Sequence, residues 1–237
     1  MPRAKPVLRL DRQRIVEAAL TIADSEGEAA VTLRRVAQVL SAGAMSLYRH
    51  VANKDALLDA LAERVVAQIP LPEAGMGWRE GLRARAVATR RVCLAHPWAA
   101  KLMEGRLASG PARLRLQDSA LGLLIGDGFE VALACRALTV LDSYVYGFTL
   151  RETALPPADA LPDAVKSVAP MIRPDDYPHI VAAMMHAMAQ AQTEGAAAVI
   201  EADFLFGLDI MLDGFERAIT PNDAVSTSAP RGRGPGG

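Results

Sequence analysis

The chain has 237 residues, of which 51% are hydrophobic and only 5% aromatic, and a formal net charge of −1. That is enough apolar material for a sizeable core, which excludes an intrinsically disordered chain, and the near-neutral balance excludes a protein coated in nucleic acid over its whole surface. Ala and Leu are abundant and no run of alternating β-branched residues stands out, so the expected class is all-α.

Charge is unevenly placed: residues 1–54 hold 9 Lys or Arg against 5 Asp or Glu, and the remainder holds 17 against 22. A small basic head on an acidic body suits one localised contact with nucleic acid. Residues 1–10 carry Arg3, Lys5 and Arg9 with two prolines and no acid, and are expected to form a flexible basic arm. Asp11 can cap a first helix whose Ile15, Ala18, Ala19, Ile22 and Ala23 make one apolar stripe, stopped at Gly27. Thr32 caps the next, in which Leu33, Val36, Ala37 and Leu40 recur at helical spacing. Ser41-Ala42-Gly43 then turns the chain, and helix is expected to resume over 44–51 with Leu47 and Val51 inward. Two short helices joined by a tight turn make a helix-turn-helix. Residues 30–54 hold Arg34, Arg35, Arg49, His50 and Lys54 but no Asp or Glu, a surface suited to phosphate. On charge and periodicity alone it equally suits a structural hairpin with a solvated basic face.

Asn53 caps a fourth helix with Leu57, Leu58, Leu61, Ala62 and Val65 inward, ended by Pro70 and Pro72. The stretch 71–77 is rich in Pro and Gly and reads as a linker. Beyond it helices are expected at 78–95, 98–105 and 111–125, each stopped by a Pro or Gly breaker. The stretches 129–154 and 196–219 are apolar around most of their circumference and need cover on both sides. They are either the central helices of a monomer or a subunit interface, where Ala134, Ala137, Gly147, Gly207 and Gly214 would let a partner helix approach. Between them, 155–178 contains six prolines and reads as a loop with a short helix at 159–168, followed by a helix over 177–193. The tail 220–237 is Pro, Gly and Ser with two arginines and is expected to be disordered.

Cys93 and Cys135 lie in apolar helical contexts with no Cys-x-x-Cys pair, so a reduced, cytoplasmic protein is expected. Apolar stretches such as 182–191 are too short to span a bilayer, so no membrane partner is expected. His179 and His186 have no partner at ligand spacing, so neither a metal nor a cofactor is expected. The absence of a Gly-x-Ser-x-Gly motif, a phosphate-cradling glycine loop and any strand-to-helix unit argues against an enzyme. A helical protein–protein adaptor without DNA-binding activity is the alternative that remains.

The string Leu47-Tyr48-Arg49-His50-Val51-x-Asn53-Lys54-x-x-Leu57-Leu58 resembles the segment that follows the turn in TetR-family transcriptional regulators. With its Leu-Leu-Asp-Ala-Leu-Ala continuation it is most similar to the tetracycline-repressor branch. The likeness in residues covers 11–68; beyond that, helix lengths and order are similar. It implies a three-helix helix-turn-helix DNA-binding domain within 11–70 and a larger helical effector-binding and dimerisation domain over 71–219. It also implies a repressor that binds an inverted-repeat DNA operator as a homodimer and is released by a small-molecule effector. Arg34, Tyr48 and Lys54 are then expected on phosphates, with Arg35, Met45, Ser46, Arg49 and His50 nearest to base edges. The two apolar helices become the dimer interface. Trp98, Leu102, Met103, Tyr144, Phe148 and Met184 become candidate effector contacts, with the Tyr144 hydroxyl as an orienting group; each also reads as plain core. Two departures stand out. Ser41 follows the second helix where relatives carry Gly, and Ala44-Met45 replaces the polar pair that opens the recognition helix of the tetracycline repressor. That repressor's metal-binding histidine aligns with Met103 and its partner position falls near Ile69-Pro70, so recognition of a magnesium–tetracycline chelate is not expected.

Overall fold

The computed structural model describes residues 10–73, 75–104, 110–156 and 161–219; the expected basic arm, apart from Leu10, and the expected disordered tail lie outside them. The described residues form eleven α-helices, two short 3-10 turns and no strand.

Local capping builds the head. Helix α1 (Arg12–Glu26) starts where the Arg14 amide donates to Asp11 Oδ1 at 2.8 Å, and stops at Gly27, whose φ of 85° suits glycine. A 3-10 turn leads to α2 (Leu33–Val39), where the Arg35 amide donates to Thr32 Oγ1 at 3.1 Å. After the turn, α3 (Ala44–Leu47) is shorter than the expected 44–51. The His50 and Val51 amides still donate to the Leu47 carbonyl, both at 2.9 Å. Asn53 must be extended (φ −159°) to accept from the Ala56 amide and cap α4 (Lys54–Val66), so the chain leaves the helix before Val51. Ile15, Ile22, Val36, Leu47, Leu57 and Leu61 form the core of this head.

The body comprises α5 (Trp78–Ala95), α6 (Ala99–Glu104), α7 (Pro111–Gly126), α8 (Val131–Thr153), α9 (Leu161–Val168), α10 (Pro178–Glu194) and α11 (Ala196–Ile219). Two helix N-termini without a cap of their own are capped from a distance. Asp127 Oδ2 accepts from the Trp78 amide of α5 at 2.7 Å, and Glu63 of α4 accepts from the Ala112 amide of α7. Helix α8 packs on α5, α7 and α11 around Leu82, Leu124, Leu138, Leu141, Phe204 and Leu208. By length and composition α8 could cross a membrane, against the expectation that no stretch is long enough. One side of it, with Leu138, Leu141 and Val145, is buried in the body core, and its Asp142 and Glu152 pair with Arg85 and Arg90 of α5 at 2.6 and 2.7 Å.

A third apolar cluster joins head to body. Val65, Val66 and Ile69 at the end of α4 pack with Val92 of α5, Met103 of α6 and Leu116 of α7. Helix α10 packs along α11 and buries none of its own residues. Gly207 and the alanines serve the protomer itself. A side chain at 207 would collide with Tyr144, and Ala134 and Ala137 lie in the core of their own chain.

Candidate nucleic-acid interface

The candidate DNA-contacting set is carried by α2, by α3 and the turn that follows it, and by the start of α4. Arg34, Met45, Tyr48, Arg49, His50 and Lys54 are exposed and Ser46 is half-buried. The side chains of Arg34, Tyr48, Arg49, His50 and Lys54 have no ion-pair or hydrogen-bond partner among the described residues, a condition that suits groups meant for an external anion. Arg35, expected nearest to base edges, is paired within the head. Its Nε sits 3.2 Å from both carboxylate oxygens of Glu26 and its Nη2 2.6 Å from Oε1, a bidentate pair across the α1–α2 turn. Hydrogen bonding to Arg35 holds the Glu26 carboxyl below its ordinary range. Counting acids within 30–54 could not reveal this partner, because Glu26 lies outside that window.

The head is tied to the body by a polar relay that sequence reasoning did not anticipate. Asp24 Oδ1 on α1 accepts from His96 Nδ1 at 2.7 Å and from Trp98 Nε1 at 2.8 Å. Since a carboxylate only accepts, Nδ1 donates here, and Nε2 meets the side-chain amide of Gln68, just beyond α4, at 3.1 Å.

The six candidate effector residues do not converge. Trp98 and Leu102 pack against the head core, and Met103 is buried in the junction cluster. Tyr144 and Phe148 pack on Phe204, with ring centroids 5.6 and 5.3 Å away, and Met184 is half-buried on α10. The Tyr144 hydroxyl donates to the Phe204 carbonyl at 2.8 Å, which leaves its oxygen free only to accept. Burial and the nearby Asp203 push its pKa up. Phe148 lines a cleft of about 320 Å³ between the end of α8 and α11, with Leu155, Ile200, Asp203 and Phe206. Inside the body, Arg85 Nε and Thr89 Oγ1 are buried one turn apart on α5 without a hydrogen-bond partner among the described residues. Met103 and Ile69 share the junction cluster. Among the described residues no group of three or more His, Cys, Asp or Glu is placed to hold a metal ion.

An all-α chain with a cationic helix-turn-helix head wedged by its fourth helix into a helical body is the class that fold and face define. The family model described as tetracyclin repressor-like, C-terminal domain, matches residues 70–219. The chain belongs to the TetR family of transcriptional regulators. It is 37% identical over 152 residues to an HTH-type transcriptional regulator of Saccharopolyspora erythraea, covering 64% of each chain. It is 38% identical over 145 residues to the HTH-type transcriptional repressor DrrR1 of Streptomyces coeruleorubidus, covering 60% of this chain and 53% of that one. The matches thus span less than two thirds of both relatives. Among solved structures, Streptomyces coelicolor ActR in complex with actinorhodin superposes with a TM-score of 0.72 at 28% identity, over 89% of this chain and 97% of that one.

Proposed function

We propose that this chain is a cytoplasmic, ligand-responsive repressor that binds an inverted-repeat operator as a homodimer and releases it when a small, mostly apolar molecule binds in the body. Residues 11–70 are the reading head and 71–219 the effector-binding and dimerising body. The observation that carries the reading is the exposed set Arg34, Tyr48, Arg49, His50 and Lys54, unpaired within the described chain and free of interspersed acid. Cations held out in this way gain by displacing counterions from DNA phosphates. Family membership supports the small-molecule half of the reading, and so does the actinorhodin complex of ActR.

The test is binding of full-length protein to fragments of its source genome at several salt concentrations. Lys54 stands at the first turn of α4, where its charge and the helix N-terminus face the same phosphate. Lys54→Ala is expected to weaken binding to all sequences alike and to reduce the slope of log affinity against log salt by about one for each head. An unchanged slope would remove Lys54 from the interface, and failure of the wild type to retain any fragment would overturn the function.

A further inference from the structure

Met45 is 80% exposed, more than any other large apolar side chain among the described residues. It stands in the first turn of α3, with Ala44 exposed before it and Tyr48, itself 51% exposed, three residues on along the same side of the helical turn. The same stretch of sequence carries the unpaired, exposed cations Arg34, Arg49, His50 and Lys54, while Arg35 is engaged by Glu26 and Ser46 is half-buried. The first turn of the reading helix therefore presents an exposed apolar tip in a segment whose charged side chains are all cationic.

A thioether donates no hydrogen bond and accepts only weakly, so Met45 cannot read the donor and acceptor pattern of a base pair. Only one apolar group is displayed on base edges in the major groove, the C5-methyl of thymine. We infer that Met45 packs on a thymine C5-methyl in each half-site and makes this head selective for thymine at the base pair facing the first turn of α3. The inference rests on the DNA-binding reading above and adds to it the chemical feature that is read. The contact is dispersive and desolvating, so it selects sequence with little dependence on salt, in contrast to Lys54.

The test uses duplexes selected from a random library by the full-length protein, prepared again with deoxyuridine replacing every thymidine. Uracil keeps the O4 acceptor and lacks only the methyl. The wild type is expected to bind the uracil duplex about fourfold more weakly for each methyl covered, and about fifteenfold with both half-sites engaged. Met45→Ala should lose a similar factor on the thymine duplex, and its thymine-to-uracil ratio should fall toward one. Met45→Leu, which keeps an apolar tip, should retain the wild-type ratio. The exposure of Met45 keeps these variants folded, as helical circular dichroism would verify. Equal wild-type binding to both duplexes, or an unchanged ratio in Met45→Ala, overturns the inference while leaving DNA binding intact. A selection that retains no duplex overturns the DNA-binding reading itself, and this inference with it.

Discussion

Ser41 is the only non-glycine residue with a positive φ among those described, at 50°. Its amide donates to the Gln38 carbonyl at 3.1 Å and the next amide, of Ala42, to the Ala37 carbonyl at 2.9 Å. This is the paired pattern that closes a helix with its C′ residue in the left-handed conformation, a place that favours glycine. Gly43, by contrast, has a φ of −72°, open to any residue, and an added Cβ there would meet only Ser46 Oγ at 3.9 Å. The glycine two residues downstream therefore does not replace the one expected after α2; Ser41 itself occupies the strained position. Ser41→Gly is expected to stabilise the protein by about 0.5–1 kcal/mol, the left-handed penalty less the extra entropy of an unfolded glycine. For a chain of this size that raises the thermal midpoint by about 1–4 °C. A lower midpoint would mean that the serine hydroxyl contributes more than the backbone strain costs. Gly43→Ala should leave the midpoint nearly unchanged.

Helix α4 couples the two parts of the molecule. Its first residue, Lys54, lies in the cationic face, its last turn ends in the apolar junction cluster, and Glu63 caps α7. The relay from Gln68 through His96 to Asp24 closes the same junction on the α1 side. Asp24→Ala would leave His96 Nδ1 and Trp98 Nε1 without their common acceptor, at a cost of about 1–3 kcal/mol. The loss falls between head and body, so the urea transition should move to lower denaturant, and amide exchange should quicken at the end of α1 while that of the central body helices is kept. A transition that coincides with wild type would remove the relay from the account of how the parts are held.

The contrast between caps and relay shows what the sequence makes legible. Asp11, Thr32 and Asn53 are readable as caps because each bonds an amide three residues away. Gly27 and Pro70 are readable as stops for the same local reason. The pairs Glu63–Ala112, Asp24–His96 and Tyr144–Phe204 join residues 49, 72 and 60 positions apart, and no periodicity reports them. That is also why Trp98 and Leu102 read as pocket candidates but lie against the head: helical spacing tells which residues share a face and not which neighbour the face meets.

Taken alone, the protomer leaves large apolar side chains of α8, α10 and α11 exposed. On α11, Phe204, Leu208 and Leu212 are buried, whereas Phe206 and Ile210, one turn apart on the opposite side, are 69% and 52% exposed. Val140 of α8 and Met185 and Met188 of α10 are exposed as well. Burying such a set against a second copy of itself is the economical arrangement for a protein whose operator is proposed to have two-fold symmetry, with half-sites about 34–36 Å apart or a multiple of that. Gly207 is a poor place to test the interface, because a larger residue there would strike Tyr144 within the protomer. Phe206→Glu with Ile210→Glu is the better choice. Neither side chain is needed for the fold of one chain, and in a two-fold interface the carboxylates would be buried without partners, at a cost that a marginal association does not survive. Light scattering is expected to give a dimeric mass for wild type and a monomeric mass for the double variant, with helix content unchanged and operator affinity lost because one head binds alone. A wild-type monomer at micromolar concentration, or a double variant that still dimerises, would place the interface elsewhere or remove it, and with it the two-headed reading of the operator.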